Sequence, residues 1–282
     1  MIERLRIESR RALARFANVG PAALARTLWR VATVRPPAEL RVPERAERIV
    51  VSLTTTPARA RNLSRVLAGL LDQSEPPDRI VLALPRRTRA GLAYPDAAEL
   101  RLPAGVDVLP CDDEGPATKL LPALTLEPDA LVVVVDDDVV YPRGFIAALL
   151  DGHRRRPHAA VGFRGVRLRP GARFAELDHV FATGIPQAQP VDVLFGTWGY
   201  MLPARALGRE VRDFSGAPEA LRWVDDIWIS GHLARAGVER WVVSSGELPI
   251  ETSNVWRSAL TSGVNASGEN DRAGLEYFAA DW

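Results

Sequence analysis

The chain has 282 residues, 47% hydrophobic and 25% charged, a globular balance that supports one large core with an appendage. Its 36 Lys and Arg against 35 Asp and Glu give a formal net charge of +1, so nothing global points to nucleic acid, which needs a concentrated basic face. The single cysteine, Cys111, excludes an intrachain disulfide and a zinc site built on several cysteines, and fits a reducing, cytoplasmic compartment. No apolar run approaches the ~20 residues of a membrane-spanning helix. Glu3, Arg4, Arg6, Glu8, Arg10 and Arg11 leave no apolar core for a signal peptide.

Residues 1–47 read as an extension. Ile2, Leu5, Ala12, Leu13 and Phe16 share a helical face, Gly20 and Pro21 break the pattern, and Leu24, Leu28 and Trp29 start a second stripe. A basic amphipathic pair of this kind either lies on the inner face of an anionic membrane or packs on the main domain or a partner. The segment Arg35, Pro36, Pro37 to Pro43 reads as an extended linker.

The main domain is expected over residues 48–282. Ile49 to Leu53 forms a strand ending in Thr54, Thr55, Thr56 and Pro57, and Leu63, Val66, Leu67, Leu70 and Leu71 follow at helical spacing. Arg79 to Leu84 is the next strand, making a parallel, right-handed β-α-β unit. Thr88 to Pro103 reads as a loop with a short helix, and Val106 to Leu109 as a third strand. Gly115, Pro116, Ala117, Thr118 and Lys119 then make a turn into a helix. Lys119 there is either an ordinary solvated lysine or a partner for a phosphate oxygen.

The decisive stretch is Leu131 to Tyr141. Five apolar residues, Leu131 to Val135, run without polar alternation, as central parallel strands do, and stop at Asp136, Asp137 and Asp138. Ligands of parallel sheets lie beyond the carboxyl ends of the strands, and three adjacent carboxylates favour a nearby cation. Alternation along an extended strand predicts Asp136 and Asp138 on one side and Asp137 on the other. A helix to about Arg156, a strand over Ala159 to Leu168, and a glycine-interrupted aromatic segment, Val191 to Met201, follow. Trp198 and Gly199 there are candidates to touch a ligand, against a bulge with core aromatics as the plain alternative. Asp225 and Asp226 open the next helix, either as caps or as a general base. A strand over Arg240 to Ser244 and a last helix to about Phe278 complete the chain.

The order β-α-β, Gly-Pro-Ala-Thr-Lys, apolar strand into Asp-Asp-Asp, aromatic loop and Asp-Asp helix resembles the GT-A glycosyltransferases, particularly the bacterial family 2 clan, over roughly Ile49 to Trp256. The resemblance implies an α/β, Rossmann-like fold with a mostly parallel sheet, and Mn²⁺ or Mg²⁺ held by Asp136 and Asp138 as a DxD motif. It also implies nucleotide-sugar contacts from Thr54, Thr55, Pro57, Lys119, Asp136, Asp137, Trp198 and Gly199. Asp225 or Asp226 becomes the base that deprotonates an acceptor hydroxyl, with inversion. A UDP-sugar donor, a glycan or lipid-linked acceptor and a role in cell-surface polysaccharide synthesis follow from the same likeness. It supplies no clear third metal ligand; Asn254, His232 or water are the candidates.

Two other readings compete. Asp136, Asp138 and Val140 match the Asp-x-Asp-x-Val nucleophile motif of haloacid dehalogenase-like phosphatases, although in that family the nucleophile strand comes first. A non-catalytic, membrane-associated nucleotide-sugar-binding module keeps the metal site and reduces Asp225 and Asp226 to helix caps.

Overall fold

The computed structural model describes residues 19–39, 41–169, 171, 176–252 and 268–282. The helix expected before Gly20, and Asn254, lie outside them. Eight strands form the central sheet: β1 (Ile49–Leu53), β2 (Arg79–Pro85), β3 (Val106–Cys111), β4 (Leu131–Val134), β5 (Ala160–Gly162), β6 (Gln189–Pro190), β7 (Tyr200–Pro203) and β8 (Arg240–Val242). Their order is β3-β2-β1-β4-β7-β5-β8-β6. The β3-β2-β1-β4 half is parallel throughout, with Val51 opposite Val133. Strand β7 enters antiparallel between β4 and β5, and β6 closes the far edge antiparallel to β8. This is the mixed, mainly parallel α/β sheet that the sequence implied.

Every residue of β1 and β4 is buried, which is why neither shows polar alternation. One face is covered by α2 (Ser64–Leu71), through Val66, Leu67, Leu70 and Leu71, after α1 (Pro21–Thr33) earlier in the chain. The core continues through the short α3 (Leu121–Leu126) and through Phe145, Ile146, Leu149 and Leu150 of α4 (Phe145–Arg155). Helix α5 (Asp225–Arg235) is buried nearly all round, because α6 (Glu269–Tyr277) and the Phe278 ring close over it. A Cβ on Gly231 would lie 2.4 Å from that ring.

Two expectations change. Ala159 to Leu168 is not one strand: the chain bends at Phe163, and Arg164–Arg167 leaves to form a second sheet with Asp178–Phe181 and Val193–Leu194. In α1 the packed residues are Ala23, Thr27 and Arg30 rather than Leu28 and Trp29, which are 53% and 72% exposed. Arg30 anchors that helix by donating to the carbonyls of Gly69, Asp72 and Tyr141 and by pairing with the Asp72 carboxylate. Of the predicted stripe, Leu24 packs partly on the core, while Leu28 and Trp29 face outward.

The aromatic segment turns sharply before β7. Trp198 has φ +79° and Gly199 φ +78°, and a Cβ on Gly199 would stand 2.5 Å from the Phe145 ring. Gly199→Ala is accordingly expected to cost about 2 to 3 kcal/mol, from backbone strain and overpacking together. Urea denaturation measures it, and a loss within the noise of the method would show that Phe145 yields freely.

Candidate functional site

The three carboxylates after β4 do not continue the strand. The strand ends at Val134, with one last ladder bond from the Val135 N–H to the Ser52 carbonyl at 3.2 Å, and Asp137 and Asp138 fold into a turn before the two-residue strand Val139–Val140, which pairs with Ile250–Glu251. The turn is fixed from three directions. The Asp136 N–H donates to the Tyr141 hydroxyl at 3.0 Å, the Thr252 N–H donates to the Asp138 carbonyl at 2.6 Å, and the Thr55 hydroxyl donates to Asp137 Oδ2 at 2.5 Å. The strand alternation predicted for the triplet consequently fails. Asp137 and Asp138 share one cation, Arg59, at 3.2 and 2.5 Å, whereas Asp136 turns to another, Lys119 Nζ, at 2.9 Å.

Lys119 sits at the end of a short 3₁₀ segment, Gly115–Lys119, and is only 7% exposed. This rules out the solvated lysine. Its Nζ also lies 3.0 Å from Asp225 Oδ2, so one ammonium bridges the strand tip and the first turn of α5. Burial opposes the charge, yet Asp136, Asp225 and Asp226 outweigh it and hold Lys119 well above the ordinary lysine range. Burial likewise works against ionised Asp136, but Lys119, a hydrogen bond with Thr197 and the nearby Arg59 keep its carboxyl below the usual value.

Neither Asp225 nor Asp226 caps α5: the position before the helix is Val224, and no side-chain cap bond forms. Asp226 Oδ1 instead accepts from the Gly196 N–H at 2.8 Å. Burial, followed by repulsion from Asp225, pushes the Asp226 carboxyl up to about 8. Burial and the neighbouring Asp136 and Asp137 push Asp138 to about 6, and burial raises Asp137. Among the described residues five carboxylates meet two cations here, an excess of three negative charges when all are ionised.

That excess is the test of a divalent metal. Hard oxygen donors and surplus negative charge fit Mn²⁺ or Mg²⁺. The reachable members of the triplet are Asp136 and Asp138, with side chains 22% and 16% exposed against 5% for Asp137. No group of three or more His, Cys, Asp or Glu among the described residues is already arranged around a cation position. His232 does not complete one, since its ring is buried between Trp228 and Phe278 at the far end of α5.

Of the other predicted residues, Thr54 donates to the Ala83 carbonyl and holds the tips of β1 and β2 together, and Thr55 touches Asp137 directly. Pro57 stands in the same loop. The Trp198 ring is fully buried against Phe181, and Gly199 faces Phe145, so that segment turns its aromatic faces to the core. What borders the carboxylates is Gly196 and Thr197: a Cβ on Gly196 would lie 2.3 Å from Lys119 Nζ. Sequence reading passed over Arg59, Gly196 and Thr197. Only Arg59 carried a signal, as a cation two residues past Pro57 at the tip of a buried strand. Its Nε is buried without an acceptor, as is the Thr56 hydroxyl, so the loop after β1 keeps unsatisfied polar atoms.

The sequence matches no protein-family model and no curated protein. Among solved structures, the chain is similar to the mannosyltransferase PcManGT from Pyrobaculum calidifontis in complex with GDP-Man and Mn²⁺. The TM-score is 0.52 and the identity 17%, over 98% of this chain and 76% of that one. Staphylococcus aureus TarS, residues 1–349, aligns with a TM-score of 0.46 and 13% identity over 83% of this chain and 65% of that one. The chain has the α/β fold of the mannosyltransferase. No helix among the described residues is long and apolar enough to cross a membrane.

The Asp226 value carries a pH dependence. A carboxyl near 8 when folded, against about 3.9 unfolded, binds its proton more tightly in the native state. Its contribution to stability is complete below about pH 4 and is lost as pH rises through about 8. In metal-free buffer the melting temperature of Asp226→Asn relative to the parent protein is therefore expected to climb from pH 5 to about 8 and to level off above it. A difference independent of pH would refute the assignment.

Proposed function

We propose that residues 48–282 form a metal-dependent glycosyltransferase that moves a sugar from a nucleotide-sugar donor to an acceptor hydroxyl, with inversion, and that residues 1–47 are its extension. The observation that carries this reading is Lys119, which joins the donor-side carboxylate Asp136 to the base-side carboxylate Asp225 at the carboxyl ends of the parallel strands. That ligands of parallel sheets bind beyond the carboxyl ends of the strands supports this placement. The likeness of fold to a mannosyltransferase solved with GDP-Man and Mn²⁺ supports the same class of donor.

The division of labour follows from charge. Asp138 and Asp136 are the residues to hold Mn²⁺ or Mg²⁺, which when bound supplies positive charge to a leaving diphosphate. Arg59, already paired with Asp137 and Asp138, adds positive charge beside it. Asp137, buried and tied to Thr55, shapes the turn. Asp226 is the better base. Its carboxyl near 8 has more proton affinity than an ordinary aspartate, and the Gly196 N–H fixes its direction. Asp225, ion-paired to Lys119, keeps that lysine in place. In the transfer the acceptor oxygen attacks the anomeric carbon as its proton passes to Asp226. The bond from that carbon to the diphosphate breaks, and its electron pair leaves with the phosphate.

Thermal stabilisation by UDP-, GDP-, CMP- and dTDP-sugars, each with and without Mn²⁺, tests the reading, since ligands that bind only the folded state raise the melting temperature. One donor is expected to stabilise the protein in a Mn²⁺-dependent way, and Asp138→Ala to abolish that dependence. Asp226→Asn is expected to keep donor binding and lose turnover. Unchanged calorimetric titration of Asp138→Ala with nucleotide and Mn²⁺, or release of phosphate from simple phosphomonoesters with no sugar transfer, would overturn it.

A further inference from the structure

A cavity of about 510 Å³ opens beyond the tips of β2 and β3, lined by Arg86, Arg87, Pro110, Cys111, Asp112 and Asp113. Its size suits a small-molecule site, and none of these residues has a part in the sugar-transfer chemistry above. It is joined to that chemistry through Tyr94. The Tyr94 N–H donates to the Arg86 carbonyl, at the cavity edge, and its hydroxyl donates to the Thr55 carbonyl at 3.0 Å, beside Asp137. The half-buried Tyr94 hydroxyl is pushed up by burial and by charges on both sides, Asp113 and Cys111 on one and Asp137 on the other. Tyr94 thus bridges the cavity edge and the loop beside the acidic turn.

The lining divides into groups already used and groups left over. Asp113 is used: its two oxygens accept from the N–H groups of Arg89 and Gly115, both at 2.8 Å, which shapes the loop. Arg87 donates to the Gly91 carbonyl. Asp112 is exposed and makes no hydrogen bond or ion pair among the described residues, and neither does the Arg86 guanidinium. A carboxylate and a guanidinium line one cavity without pairing with each other.

Resting on the sugar-transfer reading, we propose that this cavity holds the base of the donor nucleotide and that the base is guanine, read by Asp112 and Arg86. Guanine is the common base with two adjacent N–H donors on one edge, N1–H and the 2-amino group, which one carboxylate accepts together. Its O6 and N7 acceptors on the neighbouring edge suit an arginine. Uracil presents a single N–H flanked by two carbonyls and leaves half of that carboxylate unmatched. The donor is then a GDP-sugar, in place of the UDP-sugar expected from family resemblance.

Calorimetric titration of the full chain with GDP, UDP and inosine diphosphate in Mn²⁺ tests this. GDP is expected to bind at least about tenfold more tightly than UDP, about 1.4 kcal/mol. Inosine diphosphate, lacking the 2-amino group, should fall between them. Asp112→Asn, at an exposed position, should weaken GDP about tenfold and leave UDP unchanged. UDP binding as tightly as GDP, or an equal loss of both in Asp112→Asn, overturns the guanine assignment while leaving sugar transfer intact. Binding of none of the three overturns both.

Discussion

A lysine ammonium taken out of water is costly unless carboxylates surround it, and Lys119 meets that condition by drawing Asp136 and Asp225 to within 3 Å of one nitrogen. The two carboxylates are far apart in the chain: Asp136 follows a central strand, and Asp225 opens a helix that itself depends on α6 and Phe278 for its seat. The bridge therefore ties the parallel half of the sheet to the helical half. Gly196 is a glycine for the same reason, since any side chain there would displace the ammonium.

The surplus charge gives the site its character. With all five carboxylates ionised, Arg59 and Lys119 leave three negative charges uncompensated, and burial together with the repulsion among them raises the Asp138 and Asp226 carboxyls. A site that concentrates negative charge at the ends of parallel strands is strained in favour of cations and protons. Both are what transfer from a nucleotide sugar consumes: positive charge for the departing diphosphate, and a base with affinity for the acceptor proton.

How much of this could be read in the sequence depends on the range of the cause. Strands β1, β2 and β4 were legible because burial on both faces removes polar alternation, a local property of four to seven residues. The Asp-Asp helix was legible from its spacing. The direction of each carboxylate was not, because the triplet leaves the strand for a turn held by Tyr141, Thr252 and Thr55, none of which is adjacent to all three aspartates. Arg59 escaped notice because its partners lie 78 and 79 positions away, and the Trp198 ring looked available because its burial comes from Phe181 in another sheet. Leu28 and Trp29 kept the expected period but lie off the face that Ala23, Leu24, Thr27 and Arg30 turn inward.

A double-mutant cycle between Lys119 and Asp225 measures the bridge most directly. Lys119→Met, Asp225→Asn and the pair, compared with the parent protein by urea denaturation at pH 7, give the coupling free energy. A buried, geometrically close pair predicts about 2 kcal/mol or more of coupling. Additive effects, with coupling under about 0.5 kcal/mol, would show that the two groups do not sense each other and would contradict the site as described.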